Sequence, residues 1–373
     1  MEPFTPFLTL LAEIEDPRRA EGKLYRLPHV MLFAIMAIVA GANSYRTIHT
    51  FIDVHLARLR EVFHLPWRRA PAYTTIRGII QQVEADSIEQ VFRRHAAILH
   101  EQTSPAKRCP VAIDGKVLRR SFDGFHDRKA AHILSAFATD AALVLAHADC
   151  DDKSNEIPAV QTLLSELGLA GALMTVDAYT VKKTFEQVAA AGAHVIAQVK
   201  ANQPTLHQRI AELCQRTAPL DQTRTADQKR RSRDEIRVVE VFAPGTSLAD
   251  TEWADHVAAV VRVSRDTLKR VTTTGLWERT SEVAYFIADI ALPATACAHA
   301  IRGHWGIENR LHYVRDVSFR EDDSRIRCNP GIFARLRSFA ANILRFNNVH
   351  NMSNGRYRIA VGGVDAMLSL RVM

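Results

Sequence analysis

The order of apolar runs between residues 106 and 214 restricts the fold more than any other feature of this sequence. Three short runs of β-type residues come first, and helix, strand, helix, strand and helix patterns follow. This alternation predicts an α/β domain built on a mixed sheet. The predicted strands are Val111–Asp114, His132–Thr139, Leu143–Asp149, Leu173–Asp177 and His194–Lys200, and the predicted helices cover about 157–167, 184–191 and 206–214.

This order of elements is ribonuclease-H-like, and such a sheet runs 3-2-1-4-5. The first and fourth strands would then be parallel neighbours. Each ends in an aspartate, Asp114 in one and Asp177 in the other. Because open α/β sheets carry their sites at the carboxyl ends of strands, we expect both carboxylates at one edge of the sheet.

The rest of the chain divides by pattern around this α/β segment. Residues 1–105 have apolar residues at helical spacing and scattered arginines, which predicts a helical domain with either a solvated basic face or a DNA-contacting face. We expect the core to have a first part at 106–214 and a second part at 291–350, separated by a β-rich insertion at 215–290 and followed by a C-terminal tail at 351–373. Three insertion strands are predicted after a polar segment at 215–233, and the tail is predicted to begin as a loop.

A third acid, Glu308, stands on a predicted helix in which Trp305, Ile307 and Leu311 are expected to anchor the core. Carboxylate oxygens suit Mg²⁺ or Mn²⁺, and two such ions can drive phosphodiester chemistry. We expect Asp114 to bridge two ions, with Asp177 and Glu308 each holding one side.

Other acids and histidines leave alternatives open. Asp316 could replace Glu308 as the third ligand. His304, Glu308 and His312 recur every four residues and could form a zinc site, although their spacing differs from His-Glu-x-x-His. Two further acidic groups compete with the proposed ligands: Asp149, Asp151, Asp152 and Glu156, and Glu321, Asp322 and Asp323.

Composition bounds the partners and the compartment. The 373 residues carry a formal net charge of +7, which suits a polyanion. The five cysteines are scattered, which fits a reducing cytoplasm, and no apolar run is long enough to span a membrane. The residues expected to contact DNA phosphate are Lys116, Arg119, Lys200, Asn202 and Gln203, although the last three also fit a simple polar loop.

With these segments in place, the chain resembles the bacterial insertion-sequence transposases of the Asp-Asp-Glu (DDE) class, in the H-repeat-associated group of Rhs elements. The matching stretches lie between about residues 8 and 345. They are Ile14-Glu15-Asp16-Pro17-Arg18, Ala112-Ile113-Asp114-Gly115-Lys116, Asp152-Lys153-Ser154-Asn155-Glu156-Ile157-Pro158, Thr175-Val176-Asp177-Ala178, Lys200-Ala201-Asn202-Gln203-Pro204, and Gly303-His304-Trp305-Gly306-Ile307-Glu308-Asn309-Arg310-Leu311-His312.

The resemblance implies a ribonuclease-H-like catalytic domain with an N-terminal helical domain and a β-rich insertion. It puts the acidic triad on Asp114, Asp177 and Glu308, with two Mg²⁺ or Mn²⁺ ions. In the family's Tyr/Arg/Glu/Lys signature, His304 stands in place of Arg and Arg315 in place of Lys. Phosphate contact would then pass to Arg302, His304 and Arg315.

The function implied is a DNA transposase that binds terminal inverted repeats, cuts at the element ends and joins 3′-hydroxyls to target DNA. Its partners would be double-stranded DNA and further copies of itself in a homo-oligomer on DNA. The expected location is the bacterial cytoplasm, on the nucleoid when DNA is bound, with no membrane contact.

Two departures from the family pattern keep other functions open. Ala201 replaces a glycine, and residues 231–237 replace a Gly-His-Gly-Arg-Ile-Glu run. A catalytically decayed or repurposed DNA-binding protein is therefore one alternative, and a nuclease that never performs strand transfer is another.

Overall fold

The computed structural model of this chain describes residues 4–103, 109–122, 129–150, 159–160, 162–163, 166–167, 170–177, 182–229, 233–271 and 273–373. In this described part, nine strands form one mixed sheet. They are β1 (Pro110–Val117), β2 (His132–Ala138), β3 (Leu143–Cys150), β4 (Leu173–Val176), β5 (His194–Val199), β6 (Asp221–Lys229), β7 (Arg233–Phe242), β8 (Ala259–Arg270) and β9 (Trp277–Ala288).

The strand order is β3-β2-β1-β4-β5-β9-β8-β7-β6. Its first five strands have the predicted order 3-2-1-4-5, with β1 parallel to β4 and β4 parallel to β5. The strands β6 to β9 form an antiparallel meander that joins the sheet where β9 pairs with β5. The mixed α/β class predicted from the sequence is therefore confirmed.

The α-helices of the described residues begin with six in the N-terminal region, as its periodicity predicts. They are α1 (Thr5–Leu11), α2 (Leu27–Val39), α3 (Tyr45–Val54), α4 (Leu56–Val62), α5 (Tyr73–Gln81) and α6 (Ala85–Thr103). Later in the chain come α7 (Lys182–Ala190), α8 (Pro204–Arg216), α9 (Ala294–Ile307), α10 (Pro330–Phe346) and α11 (Met352–Leu368). None of the described helices is both long enough and apolar enough to cross a membrane.

By their contacts, the residues group into two compact units, and the first comprises residues 1–106, 115–159 and 307–373. Its centre contains α2 and α10, whose side chains are buried on almost every face. Each large apolar side chain that leaves water in this way contributes about 1.5–3 kcal/mol. The apolar residues 30–39 thus form the middle and end of α2, and their side chains are buried.

A buried ionic group ties three elements of this first unit together. Glu89 of α6 accepts hydrogen bonds from Arg335 Nε of α10 and from the backbone N–H of His147 in β3, both at 2.7 Å. His147 Nε2 also lies 2.9 Å from Ser338 Oγ. Because a buried charge is tolerated only when it is paired and hydrogen-bonded, these contacts fix α6, β3 and α10 against one another.

The second unit comprises residues 107–114 and 160–306. Its core lies between the sheet and α9, where Cys297, Ala300 and Ile301 pack with Val261 of β8 and Ile196 of β5. The apolar face of α9 thus packs on the sheet. This packing fixes the position of the polar end of the helix.

The structure corrects the predicted number of strands in the insertion. The polar segment at the start of the insertion contains a fourth strand, β6, which pairs with β7 from Asp221↔Val241 to Lys229↔Arg233. A strand at the edge of a sheet can be polar on both faces, so no apolar alternation revealed it. The predicted helix at 157–167 lies only partly within the described residues, and Asp151, Asp152 and Glu156 lie outside them.

The C-terminal tail begins as a loop after α10, as predicted, but α11, which the sequence did not predict, occupies most of it. Asn351 caps this helix by accepting a hydrogen bond from the Asn354 N–H, and the helix is kinked at Gly363, where φ is +63°. Its buried residues include Met352 and Met367. Their spacing is too sparse to give a clear helical period, so only packing shows the helix.

Candidate active site and nucleic-acid contacts

The pairing of β1 with β4 brings two of the three predicted acids together. The parallel register ends at Ile113↔Val176, so Asp114 and Asp177 come next on neighbouring strands. Asp114 does not end its strand as predicted, because β1 continues to Val117. The two carboxylates are both partly exposed, as a site at a sheet edge requires.

Lys200, the residue after β5, lies against the second of these acids. Its Nζ is 2.6 Å from Asp177 Oδ1 and 2.7 Å from Oδ2, so one ammonium group faces both oxygens of the carboxylate. The side chains are 42% and 36% exposed, respectively. An ammonium in this position supplies the positive charge that a bound cation would supply, and its exposure allows it to move away.

The C-terminal end of α9 reaches the same strands. His304 Nδ1 lies 3.0 Å from Thr175 Oγ1 of β4, one strand position from Val176. Burial lowers the pKa of His304, while the charges of Asp114 and Asp177 raise it in part. The histidine of the family signature therefore lies within the electrostatic influence of both strand-end acids.

Glu308 follows directly after α9, where the helix widens. Residues Glu308–His312 and Val314–Ser318 form π-helical turns. Such turns are rare in proteins overall, but they often occur at functional sites. Glu308 is exposed and His312 is buried. One ligand atom from each of Asp114, Glu308 and His312 lies within 4.8 Å of the others, which makes a possible acidic cluster for a metal ion.

The chemistry of these donors fits a hard divalent cation better than zinc. Two carboxylates with one imidazole suit Mn²⁺, and the carboxylates suit Mg²⁺. The zinc alternative required His304 beside Glu308 and His312, but the metal-compatible group of the described residues contains Asp114 in place of His304. From the sequence, His312 was a candidate ligand only in the zinc alternative. The π-helical turns that carry it have no sequence signal.

Two of the acids considered as competitors have basic partners of their own. Lys116 Nζ lies 2.6 Å from the carboxylate of Asp316, and Arg119 lies 3.6 Å from Asp322. The side chain of Lys116 is mostly buried, whereas that of Arg119 is exposed. Asp316 therefore neutralises a neighbouring lysine in this structure.

The remaining residues predicted to contact DNA fall into two kinds of environment. Arg302 is about half exposed and pairs with Asp227, and Asn202 lies at the surface while Gln203 is half-buried. Arg315 is different, because its side chain is 1% exposed and its Nε lies 2.8 Å from Glu321 Oε2. Arg337 adds a second guanidinium 3.4 Å from Glu321.

Trp305 does not anchor the core as predicted. Its side chain is largely exposed, and the guanidinium of Arg265 lies 5.3 Å from its ring. Ile307 and Leu311 are buried as predicted. Residues with helical apolar spacing can therefore be divided between core and surface only when the packing is known.

Comparison with known proteins agrees with these observations. The family described as "Transposase DDE domain" matches residues 105–343, and the family described as "DDE_Tnp_1-associated" matches residues 8–96. The first match covers more than half of the chain. Membership of a DDE transposase family implies the use of divalent metal ions.

Similar proteins come from Escherichia coli K12. The protein YbfL is 31% identical over 344 residues, and the H repeat-associated protein YhhI is 30% identical over 344 residues. Each alignment covers 90% of this chain and 89% of the relative.

A solved structure of a piggyBac transposase synaptic complex with hairpin DNA aligns with this chain. The alignment covers 98% of this chain and 79% of the chain in that structure. Its TM-score is 0.42 and its sequence identity is 11%, a level that carries no functional argument. The two family matches and the relatives extend over most of the sequence. The chain therefore belongs to the bacterial DDE transposases, in the H-repeat-associated group of Rhs elements.

Proposed function

We propose that this transposase binds the terminal inverted repeats of an insertion sequence, cuts the DNA at the element ends and joins the 3′-hydroxyls to target DNA. The core would be ribonuclease-H-like, with the helical region 1–105 and the insertion 215–290 as separate DNA-contacting parts. Family membership supports the reaction class, and the strand-end acids support the location of the chemistry.

The observation that carries the proposal is the parallel register of β1 and β4. It makes Asp114 and Asp177 neighbours at one point of the sheet, although 62 residues separate them in the sequence. Carboxylates of like charge repel each other when they are close, so such a pair favours cations between them. The acidic group of Asp114, Glu308 and His312 provides additional support.

The chain's own residues would divide the work as follows. Asp114, Asp177 and Glu308 would hold divalent ions, which when bound activate the attacking hydroxyl and stabilise the leaving oxygen. Lys200 would release the carboxylate of Asp177 and turn to a DNA phosphate. His304 would keep the end of α9 on β4 through Thr175, and so keep the start of the π-helical segment in place.

The DNA backbone would be contacted by exposed or partly exposed polar residues near these acids. We retain Arg119, Lys200, Asn202, Gln203, Arg302 and His304 for this purpose. Lys116 is retained as well, but its mostly buried side chain would first have to leave Asp316. Arg315 is better explained as a positioning residue, since its buried pair with Glu321 holds the π-helical turn Val314–Ser318. Because two element ends must be brought together, we expect a homo-oligomer on DNA.

The test uses purified protein, labelled element ends and Mg²⁺ or Mn²⁺. We expect Asp114→Ala to abolish strand cleavage while end binding remains, because the substitution removes a ligand and leaves the phosphate contacts. Cleavage by this variant at the unsubstituted rate would overturn the assignment.

A matched pair of substitutions decides the third ligand. Glu308→Gln should lose cleavage, whereas Asp316→Asn should retain it, because Asp316 already pairs with Lys116. The reverse outcome would transfer the assignment to Asp316. End binding without any cleavage by the unsubstituted protein, in both Mg²⁺ and Mn²⁺, would indicate a repurposed DNA-binding protein instead.

A further inference from the structure

A cavity of about 550 Å³ opens in the first unit between α3, α5 and residues 323–328. Four arginines and one aspartate are the charged residues that line it, so its formal charge is +3. We refer to it as the arginine pocket, after Arg46, Arg77, Arg325 and Arg327. None of these residues belongs to the strand-end site described above.

The positive charge of the arginine pocket is largely unneutralised. Asp323, its acidic residue, lies 3.1 Å from Arg320 and 3.7 Å from Arg120, neither of which lines the pocket. Within the described part of the chain, the side chains of Arg77 and Arg325 have no ion pair or hydrogen bond, and both residues are exposed. Two guanidinium groups are therefore available to an anion from outside.

Aromatic rings hold the other two arginines. Arg46 lies 4.8 Å from the centre of the Tyr73 ring, and Arg327 lies 5.9 Å from the centre of the Phe122 ring. An arginine held over a ring keeps its planar fork of N–H donors while losing little further freedom on binding. Such groups match the geometry of a phosphate.

The walls of the pocket are fixed by contacts beneath it. Asn329 Nδ2 donates a hydrogen bond of 2.7 Å to the carbonyl oxygen of Gln81, which joins the end of residues 323–328 to α5. Tyr45 is 8% exposed, and its ring packs edge-on against Phe333 with 5.6 Å between ring centres. The arginines therefore project from a supported surface.

We propose that the arginine pocket binds the sugar-phosphate backbone of double-stranded DNA. This assignment rests on the proposed function, because it locates a second contact surface for the same substrate. Four arginines in a cavity of this size exceed what one phosphate can engage, whereas successive phosphates of a DNA strand can engage several. A contact of this type positions DNA without reading its sequence.

Cys328 provides a direct probe, since it lines the pocket and is exposed while the other four cysteines are buried. The experiment measures alkylation of the unsubstituted protein by a maleimide in EDTA, with and without mixed-sequence duplex DNA. We expect DNA to slow the modification of Cys328 at low salt, and the protection to disappear as salt is raised. An unchanged alkylation rate while fluorescence anisotropy shows bound DNA would overturn the proposal.

A pair of double variants tests the charges themselves. Arg77→Gln with Arg325→Gln should bind the fluorescein-labelled duplex more weakly at every sequence, with the salt slope of log K reduced by about two. The matched control, Arg358→Gln with Arg371→Gln, removes two exposed arginines outside the pocket and should leave that slope nearly unchanged. Equal slopes in the two double variants would contradict the proposal.

These measurements separate the pocket from the proposed function, because EDTA prevents metal-dependent cleavage. Protection of Cys328 in a protein that never cuts DNA would support the pocket and count against catalysis. Cleavage with an unprotected Cys328 would do the opposite. Absence of DNA binding at any salt concentration would overturn both.

Discussion

Two ion pairs in this molecule differ mainly in their exposure to water. The pair of Lys200 and Asp177 at the strand ends is 42% and 36% exposed, whereas Arg315 and Glu321 are each 1% exposed. Both pairs have short contacts between nitrogen and oxygen. An exposed pair contributes about 1 kcal/mol or less to stability, but removing one partner of a buried pair costs about 3–5 kcal/mol. The first pair can therefore exchange partners, and the second maintains the fold.

Exposure to water distinguishes two acids that look alike in the sequence. Asp177 was predicted as a metal ligand, and Glu321 belongs to a group of acids that competed with the predicted ligands. Only the structure shows that Asp177 lies beside a movable ammonium and that Glu321 lies between two buried guanidinium groups. Substitutions in the exposed pair and in the buried pair test this difference.

The largest effect is expected for Asp177→Asn. The substitution keeps the size of the side chain but removes the charge that would hold a cation, so DNA cleavage should fall at least about a thousandfold, or roughly 4 kcal/mol in the barrier. Thermal unfolding should change little. Asp149→Asn is the control, because Asp149 pairs with Arg335 in the first unit, and it should keep cleavage. Equal losses in both variants would mean that the loss does not depend on the strand-end location.

Breaking the buried pair should instead lower stability. Arg315→Met leaves Glu321 buried with only the longer contact to Arg337, and should cost about 3 kcal/mol in the free energy of unfolding, measured with urea. Arg320→Gln, at an exposed arginine paired with Asp323, should cost less than about 1 kcal/mol. If Arg315→Met weakens DNA binding and leaves stability intact, Arg315 is a phosphate contact after all.

The buried region should also determine how stability depends on pH. Burial lowers the pKa of His95 to about 4, although its hydrogen bond to the Val372 carbonyl partly offsets this, while an unfolded chain would titrate it near 6.5. Since the unfolded state binds the proton first, stability should fall by roughly 3 kcal/mol as pH drops from 6.5 to 4.

His95→Phe isolates this contribution, because phenylalanine can pack between Phe7 and Phe339 without titrating. The measurement is urea unfolding at several pH values, where the variant should show a shallower loss of stability below pH 6.5. The same slope in both proteins would assign the pH dependence to other groups, such as the buried His147, whose pKa is also lowered by burial.

The smallest effect is expected for Lys200→Gln. Removal of the ammonium from beside Asp177 should tighten Mn²⁺ binding a few-fold, about 1 kcal/mol, because a competing positive charge is gone. Calorimetric titration measures this. The control is Lys182→Gln, at a lysine of 43% exposure that lies 3.7 Å from Glu186, and it should leave Mn²⁺ affinity unchanged. Weaker Mn²⁺ binding in Lys200→Gln would show that the lysine supports the site and does not compete for it.

Sequence patterns predicted the strand order and the neighbouring positions of Asp114 and Asp177, for a reason that lies in local chemistry. Apolar runs such as 111–113 and 173–176 must be buried, and their length and spacing allow few arrangements. The aspartates that follow them are then brought together by the parallel pairing of β1 with β4. Strand β6 and helix α11 were not predictable in this way, because polar edge strands and sparsely apolar helices have no clear period.

The sequence by itself determined the family, the mixed sheet and the neighbouring positions of Asp114 and Asp177, because these depend on short apolar runs and on motifs read along the chain. Tertiary structure alone decided which charged side chains meet water. Arg315 is buried against Glu321 while Arg77 and Arg325 line an open pocket, although all three are arginines. The reason is physical: a charge leaves water only where a partner from elsewhere in the chain replaces its hydration, and such partners are set by packing.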